Sequence, residues 1–460
     1  MAAPTEANAP IRIPNLLSLA WPVAAEQILN MSLFWADSII INHKLGTEAF
    51  AAVQIGATIF NMIGLVIFIV AAGTSIVVSH QIGAGERRGA AETGAQSVTV
   101  GLLLSVGLGG VIWLVSPFLL RLLGATGGVY TQGLAFNHVL SAFMPAMALL
   151  AVLSATIRAT GDTRGPMMVT FLVNILNVVL NYLFVYGTPA VHLGGFTLQA
   201  IGGGMGITGS ALGTSLGRTI GVLLLFAMLL RKSDLPLRLR DFLLLKGRTL
   251  YRVARMGVPG ALEQIAWEGG QFAHSVIVAP LGTAVIAARA LAFQVDWFTL
   301  LPSMALEVAV SIVVGQLIGA RLRERAVAEG RKAILYGIVT LSTLSLVMWL
   351  LARPVLTLFT RDEAVLVHAV SALKIAALYK AGQCLNVVCG GIFRGAGNPQ
   401  WPTVLTMLFT WFFAVPAAYL VVRLGYGLTG ILWVMFSDEM MRGAINLWYF
   451  TTPRWRNREV

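Results

Sequence analysis

The chain has 460 residues, of which 57% are hydrophobic and only 11% charged, and its mean hydropathy is +0.80. A soluble chain carries about 25% charged residues to coat its exterior, so a water-soluble multidomain protein is excluded and the bilayer is the solvent that fits. The net charge is +12, but the basic residues punctuate apolar runs and never interleave with aromatics in a polybasic stretch, which excludes a nucleic-acid partner.

Residues 1–15 contain Pro4, Glu6, Pro10 and Pro14 and no compact apolar core, so they read as a short polar cytoplasmic tail and not as a signal peptide. A window of about 19 residues then predicts twelve apolar spans. The first six fall near 16–41, 51–79, 91–119, 134–157, 166–187 and 206–230. The second six fall near 256–280, 284–315, 327–352, 364–390, 402–422 and 430–450. The runs are continuous, without the alternation of a β-barrel. Between the two sets lies a basic, Leu-rich cytoplasmic connector, 231–255, which predicts an amphipathic helix on the inner leaflet, and residues 451–460 form a second cytoplasmic tail. Cys384 and Cys389 stand five apart in an apolar run, a spacing of neither zinc nor redox pairs, and read as small buried residues. The predicted fold is an all-α integral membrane protein of twelve transmembrane helices, with an N-lobe over 16–230 and a C-lobe over 256–450.

Topology follows from loop charge. With the N-terminus in the cytoplasm, 22 Lys and Arg fall on cytoplasmic segments and 5 on outer loops, which predicts a multi-pass cell (inner) membrane protein with both termini inside. The halves also repeat. Leu45-Gly46-Thr47 returns as Leu281-Gly282-Thr283, and Arg158, Gly161 and Pro166 return as Arg394, Gly397 and Pro402, all at one constant offset. Pro22 returns as Pro259, within one residue of that offset. Each half holds six spans, an even number, so both share one orientation and a pseudo-two-fold axis along the membrane normal. Two such bundles predict an alternating-access transporter.

Ionisable and amide groups inside the spans mark candidate sites, because each is costly in hydrocarbon. Asp37 lies deep in the first span with no cation near it in sequence, and Asn30 precedes it by seven positions on the same helical face. Asn174, Asn177 and Asn181 in the fifth span form one stripe at i, i+3, i+7. Such a stripe must face the bundle interior or a wet cavity. It either supplies structural hydrogen bonds between helices or joins Asp37 in a pocket that takes a cation or a proton. In the second half Glu263, Glu268, Asp296, Lys380 and Gln383 are candidates to line a substrate cleft together with Asn30 of the first half, or to neutralise one another.

These residues resemble the multidrug and toxic compound extrusion (MATE) transporters over about residues 14–450. The likeness is carried by Trp21-Pro22 followed by Asp37 and Lys44-Leu45-Gly46, and by the Gln316–Ala320 run. Arg158-Ala-Thr-Gly-Asp, Arg394-Gly-Ala-Gly-Asn and Gly206-Ile-Thr-Gly209 carry it further. The first-half site is similar to that of DinF- and NorM-type bacterial members. The resemblance implies export of organic, mostly cationic or amphiphilic drugs by antiport with protons or sodium ions, with no other cofactor. It implies that Asp37 is the coupling carboxylate, that Asn177, Asn181 and Thr214 surround it, and that any sodium ion sits at Asp37, Asn177 and Asn181. It also implies that Pro22 is a hinge. The chain departs from the NorM-like branch in having Gln383 where that branch has an aspartate and Trp267 where it has a glutamate. A second-half sodium site is therefore not expected, and protons are favoured over sodium.

The alternative is a lipid or lipid-linked oligosaccharide flippase of related fold, kept open by Arg289, Lys374 and Lys380. An enzyme is not expected, since no HExxH, GxSxG or DxxD-type pair is present. A monomer is expected.

Overall fold

The structure, a computed structural model, describes residues 14–186, 191–193, 196–198, 204–231 and 235–457. Most of the N-terminal tail expected at 1–15 and the last residues of the C-terminal tail lie outside the described residues. The first half comprises α1 (Leu16–Gly83), α2 (Arg87–Leu122), α3 (Gly127–Ala142), α4 (Met144–Ala159), α5 (Arg164–Tyr186) and α6 (Gly206–Arg231). A small antiparallel hairpin of β1 (Val191–Leu193) and β2 (Phe196–Leu198), paired Val191 to Leu198, separates α5 from α6. The connector carries α7 (Leu239–Leu243). Next come α8 (Gly247–Val278), α9 (Thr283–Gly319), α10 (Arg323–Leu350), α11 (Ala352–Thr357), α12 (Glu363–Leu378) and α13 (Lys380–Gly395). The chain ends in α14 (Gln400–Phe409), α15 (Val415–Arg423) and α16 (Gly427–Thr451).

These helices supply twelve passes. Among the described residues seven helical stretches are long and apolar enough to cross a membrane alone, and two bent pairs, α3 with α4 and α12 with α13, bring the number to nine. The 68-residue α1 is two of the predicted spans joined, since the backbone breaks at Gly46 (φ 82°, ψ −176°). The more polar α8 and α16 complete the set. The protein is an all-α integral membrane protein, as the long apolar runs predict. The linker between the first two spans differs from expectation: it is helical on both sides of Gly46, and one residue in the left-handed region makes the turn.

The repeat is legible in the backbone. Gly46 and Gly282 both take positive φ, as do Gly161 and Gly397, the pairs that the sequence repeat matches. Arg321 adopts φ 61° at the position matching Gly85 (φ 78°), a conformation that side-chain-bearing residues rarely take. The α3/α4 bend of 50° falls at Phe143, and the α12/α13 bend of 54° falls at Tyr379, its counterpart in the repeat. Pro145 stands two residues after the first bend, at the start of α4. The second keeps the geometry with Ala381 in its place, so the bend belongs to the packing of the repeat and not to the proline. Between α14 and α15 the pass is continuous, and a π segment, Thr410–Ala414, absorbs the hydrogen bond that Pro416 cannot donate.

The chain divides into two compact units. One holds Ala25–Val78 and Glu86–Ala254, with cores built on Ile59, Ile112, Leu120 and Met144 and on Ile41, Ala52, Phe136 and Ile207. Within it the connector is pinned to α2. Asp241 accepts from Arg88 Nη1 at 2.7 Å and Nη2 at 2.5 Å, and Thr99 donates to the carbonyl of Phe242 at 2.7 Å. The amphipathic helix expected there is only five residues long, because these polar contacts and not a long apolar face fix the segment; Leu239 and Leu243 stay exposed on one side of it.

The other unit holds the described residues up to Ala24, Ser79–Gly85, and the chain from Arg255 onward. The first turns of α1 belong to this unit: Leu16 and Leu19 join a core with Val310, Leu317, Phe393 and Trp455. The last turn of α1 meets the last turn of α9 through reciprocal glycines. A Cβ at Gly83 would lie 2.0 Å from the Gln316 carbonyl oxygen, and one at Gly319 would lie 2.1 Å from that of His80. His80 Nε2 in turn donates to the Gly395 carbonyl at 2.6 Å. Close backbone approach through small residues is how apolar helices associate where no hydrophobic drive exists between them. Gly83→Ala is expected to destabilise the protein by about 1–3 kcal/mol through overpacking against main chain. The check is a lower melting temperature of the detergent-purified variant, and an unchanged one would refute the contact.

Candidate functional site

The polar constellation with the most geometric definition lies in the unit containing α5 and α6. Its foundation is a ridge on α6: Gly209, Gly213, Gly217 and Gly221 recur at every fourth position and so share one helical face. Built Cβ atoms would lie 2.8 Å from Phe184 O at Gly209, 2.3 Å from Asn181 Oδ1 at Gly213 and 2.6 Å from Val173 Cγ2 at Gly221. The ridge therefore lets α5 approach until its asparagine stripe lies against α6. The i, i+4 glycine spacing was present in the sequence and is the signal that locates this seam.

From that seam the amides reach outward to α1. Asn177 Nδ2 donates to Thr214 Oγ1 at 2.8 Å, Asn181 Nδ2 donates to Asn177 Oδ1 at 3.1 Å and to Asp37 Oδ1 at 2.5 Å, and Asn174 Nδ2 donates to the Leu29 carbonyl at 2.7 Å. Asn177 and Asn181 are fully buried, while Asp37 is half-buried on α1. The structure thus brings Asp37, Asn177, Asn181 and Thr214 into one hydrogen-bonded chain, with Asn174 tied to the α1 backbone beside it. The side-chain amide oxygen of Asn181 is buried without a hydrogen-bond partner among the described residues. Arg218, one turn beyond Thr214 on α6, puts a cation within electrostatic reach of Asp37. Arg218 stands midway along α6, and nothing near it in sequence showed that its partner is Asp37 on α1. Asn30 is exposed, and a groove of about 330 Å³, walled by Leu29, Leu33, Phe171 and Val178, runs beside Asn174.

The same unit holds an ion pair in which Arg158 Nη1 donates to both carboxylate oxygens of Glu26 at 2.9 Å, with Thr170 donating to Glu26 Oε1 at 3.4 Å. In the other unit Arg394 meets Glu263 at 2.6 Å and also pairs with Glu307. Arg394 is the repeat counterpart of Arg158, and Glu263 follows Glu26 at the Pro22-to-Pro259 offset, so each half closes its first and fourth spans with one repeated pair.

In the second unit the remaining candidates pair among themselves. Lys380, 1% exposed, donates to Asp296 Oδ2 and to Gln383 Oε1, both at 2.7 Å. Glu268 is exposed and accepts from Gln264 at 3.2 Å. Arg289 donates to Ser275 Oγ at 2.9 Å and Gln271 Oε1 at 3.1 Å, and Lys374 lies 4.8 Å from the Trp349 ring centroid. Trp267, Phe293 and Trp297 form an aromatic cluster with centroids 5.9–6.4 Å apart. Pro22 lies inside α1, just before Ala24, where the chain leaves this unit.

The MatE family model matches residues 22–183 and again 259–420. The chain is 26% identical over 446 residues to an uncharacterized transporter, YisQ, of Bacillus subtilis (strain 168), covering 96% of this chain and 94% of that one. It is 25% identical to a probable multidrug resistance protein NorM of Thermotoga maritima, covering 97% and 94% of the two chains. Its fold is similar to that of a MOP superfamily transporter from Pyrococcus furiosus, with a TM-score of 0.85, 23% identity and coverage of 95% and 94%.

Proposed function

The chain belongs to the MatE family, and on that premise we propose that it is a secondary active multidrug efflux transporter, exporting organic, mostly cationic compounds by ion antiport through alternating access. The observation that carries the coupling role is the Asn181–Asp37 hydrogen bond within an amide chain seated on the glycine ridge. A half-buried carboxylate held by a fixed donor changes its interactions when it gains or loses a positive charge, and that difference is what an ion gradient acts on. Loading of Asp37 from outside loosens its bond to Asn181, α1 bends near Pro22, and the drug leaves before the lobes rock inward and release the ion.

A proton is the coupling ion this geometry favours. Asn181 turns its amide nitrogen, not its oxygen, toward Asp37, so the group that faces the carboxylate is a hydrogen-bond donor and not a further oxygen ligand for a sodium ion. Arg218 further opposes a second cation at the site. The aromatic cluster of Trp267, Phe293 and Trp297 offers faces for an organic cation. The flippase reading is weakened because the cations that would hold a pyrophosphate are engaged, Lys380 by Asp296 and Arg289 by Gln271 and Ser275. The protein acts in the cell membrane as a monomer, with both termini in the cytoplasm.

Cationic-dye efflux from proteoliposomes, with a proton gradient and a sodium gradient imposed in separate runs, tests the proposal. Efflux with the proton gradient alone is expected. Efflux with sodium alone overturns the choice of ion, and efflux with neither overturns antiport.

A further inference from the structure

In the C-terminal unit a groove of about 480 Å³ opens between α10 and α16. Its floor is apolar, with Leu335 and Leu447 on the two helices left 59% and 41% exposed, and Trp448 is exposed next to it. Its mouth is basic, framed by Arg331 and Arg456. Arg331 is exposed and has no ion pair or hydrogen bond among the described residues. Arg456 Nη1 donates to Glu324 Oε1 at 2.8 Å, but the Glu324 side chain is 85% exposed, so this pair is held weakly. The two threonines at the mouth use their hydroxyl protons elsewhere, Thr451 on Trp448 O at 2.7 Å and Thr452 on Tyr449 O at 2.8 Å. Any anion here is recognised by the arginines.

An apolar trough that runs into two guanidiniums has the form of one amphiphile: hydrocarbon along the helices and a phosphate at the end. The groove lies at the membrane end that carries the basic Arg321–Lys332 segment and the C-terminal tail, where the distribution of Lys and Arg puts the inner leaflet. We propose that it is a binding site for an anionic phospholipid of that leaflet, with the phosphate between Arg331 and Arg456 and an acyl chain along Leu335 and Leu447. Arg331 supplies the uncompensated charge that separates an anionic lipid from a zwitterionic one, and Glu324 competes with the lipid for Arg456.

Native mass spectrometry of the full chain in detergent, titrated with phosphatidylglycerol or with phosphatidylcholine of the same chain length, tests this. The wild type is expected to retain phosphatidylglycerol in preference. Arg331→Gln and Arg456→Gln should each lower its retention about fivefold, the effect of one basic residue at an anionic membrane surface. Glu324→Gln should raise retention by freeing Arg456, an outcome that a purely structural ion pair would not give. Arg248→Gln, an exposed arginine at the start of α8, should leave retention unchanged. Equal retention of the two lipids, or no loss in Arg331→Gln, overturns the site. Displacement of phosphatidylglycerol by inorganic phosphate at equal concentration shows a soluble-anion site and overturns the lipid assignment.

Discussion

Asp37→Asn is expected to insert and fold like the wild type and yet to show dye efflux no faster than cells lacking the transporter. The amide is nearly isosteric, so the packing of α1 against α5 and α6 survives. What disappears is the capacity to exist in a loaded and an unloaded form, and a site that cannot change charge has no differential affinity through which a gradient shifts the equilibrium. Asn181→Ala is the graded comparison. It removes the donor 2.5 Å from Asp37 and leaves a carboxylate that can still be loaded and released, so transport should persist at a reduced rate. A hydrogen bond to a charged group is worth about 1.5–3 kcal/mol, so the balance between the two forms should move by roughly tenfold or more. Efflux by Asn181→Ala is therefore expected between that of the wild type and the background left by Asp37→Asn. Gradient-driven efflux by Asp37→Asn at the wild-type rate would remove the carboxylate from the mechanism.

Much of this arrangement was written in the sequence as periodicity. Long apolar runs place the spans because each must satisfy its backbone internally. The i, i+3, i+7 asparagines point inward because a lipid-facing amide stripe is too costly, and α5 does present them to α6 and α1. Other features escaped because they depend on partners far apart in the chain. Asp37 stands on α1 and Arg218 on α6, with most of the first half between them, and no local pattern announces that the fold brings them within reach. Glu26 has its partner, Arg158 at 2.9 Å, 132 residues away in the chain. The bend at Tyr379 has no proline to betray it and becomes visible only by carrying Phe143 forward through the repeat. The α6 glycines were legible all along, since their i, i+4 spacing is a helix-packing code in membranes. The same glycines read as composition alone say only that helices come close, not which pair does so.

The repeated ion pair sets up the other large effect. Arg394→Ala is expected to destabilise the protein by about 3 kcal/mol, the lower end of the range for breaking a buried ion pair, because the three side chains retain 18–25% exposure. The loss exceeds that of one salt bridge, since removing the guanidinium leaves Glu263 and Glu307 facing each other as like charges with no counterion. Arg158→Ala should cost less. It strands only Glu26, which keeps the hydroxyl donor of Thr170 at 3.4 Å. The order of melting temperatures in detergent should then be wild type, Arg158→Ala, Arg394→Ala. Combining Glu263→Gln with Arg394→Ala should recover part of the loss, because it deletes one of the two stranded charges while the amide still fills the space. A pair that merely decorated the surface would shift neither variant by more than about 1 kcal/mol, and the double substitution would then be no more stable than Arg394→Ala alone. Equal melting temperatures for Arg394→Ala and the wild type would mean that the packing at the glycine contacts around Gly391 and Gly395, and not the charge triad, holds α13 to its neighbours.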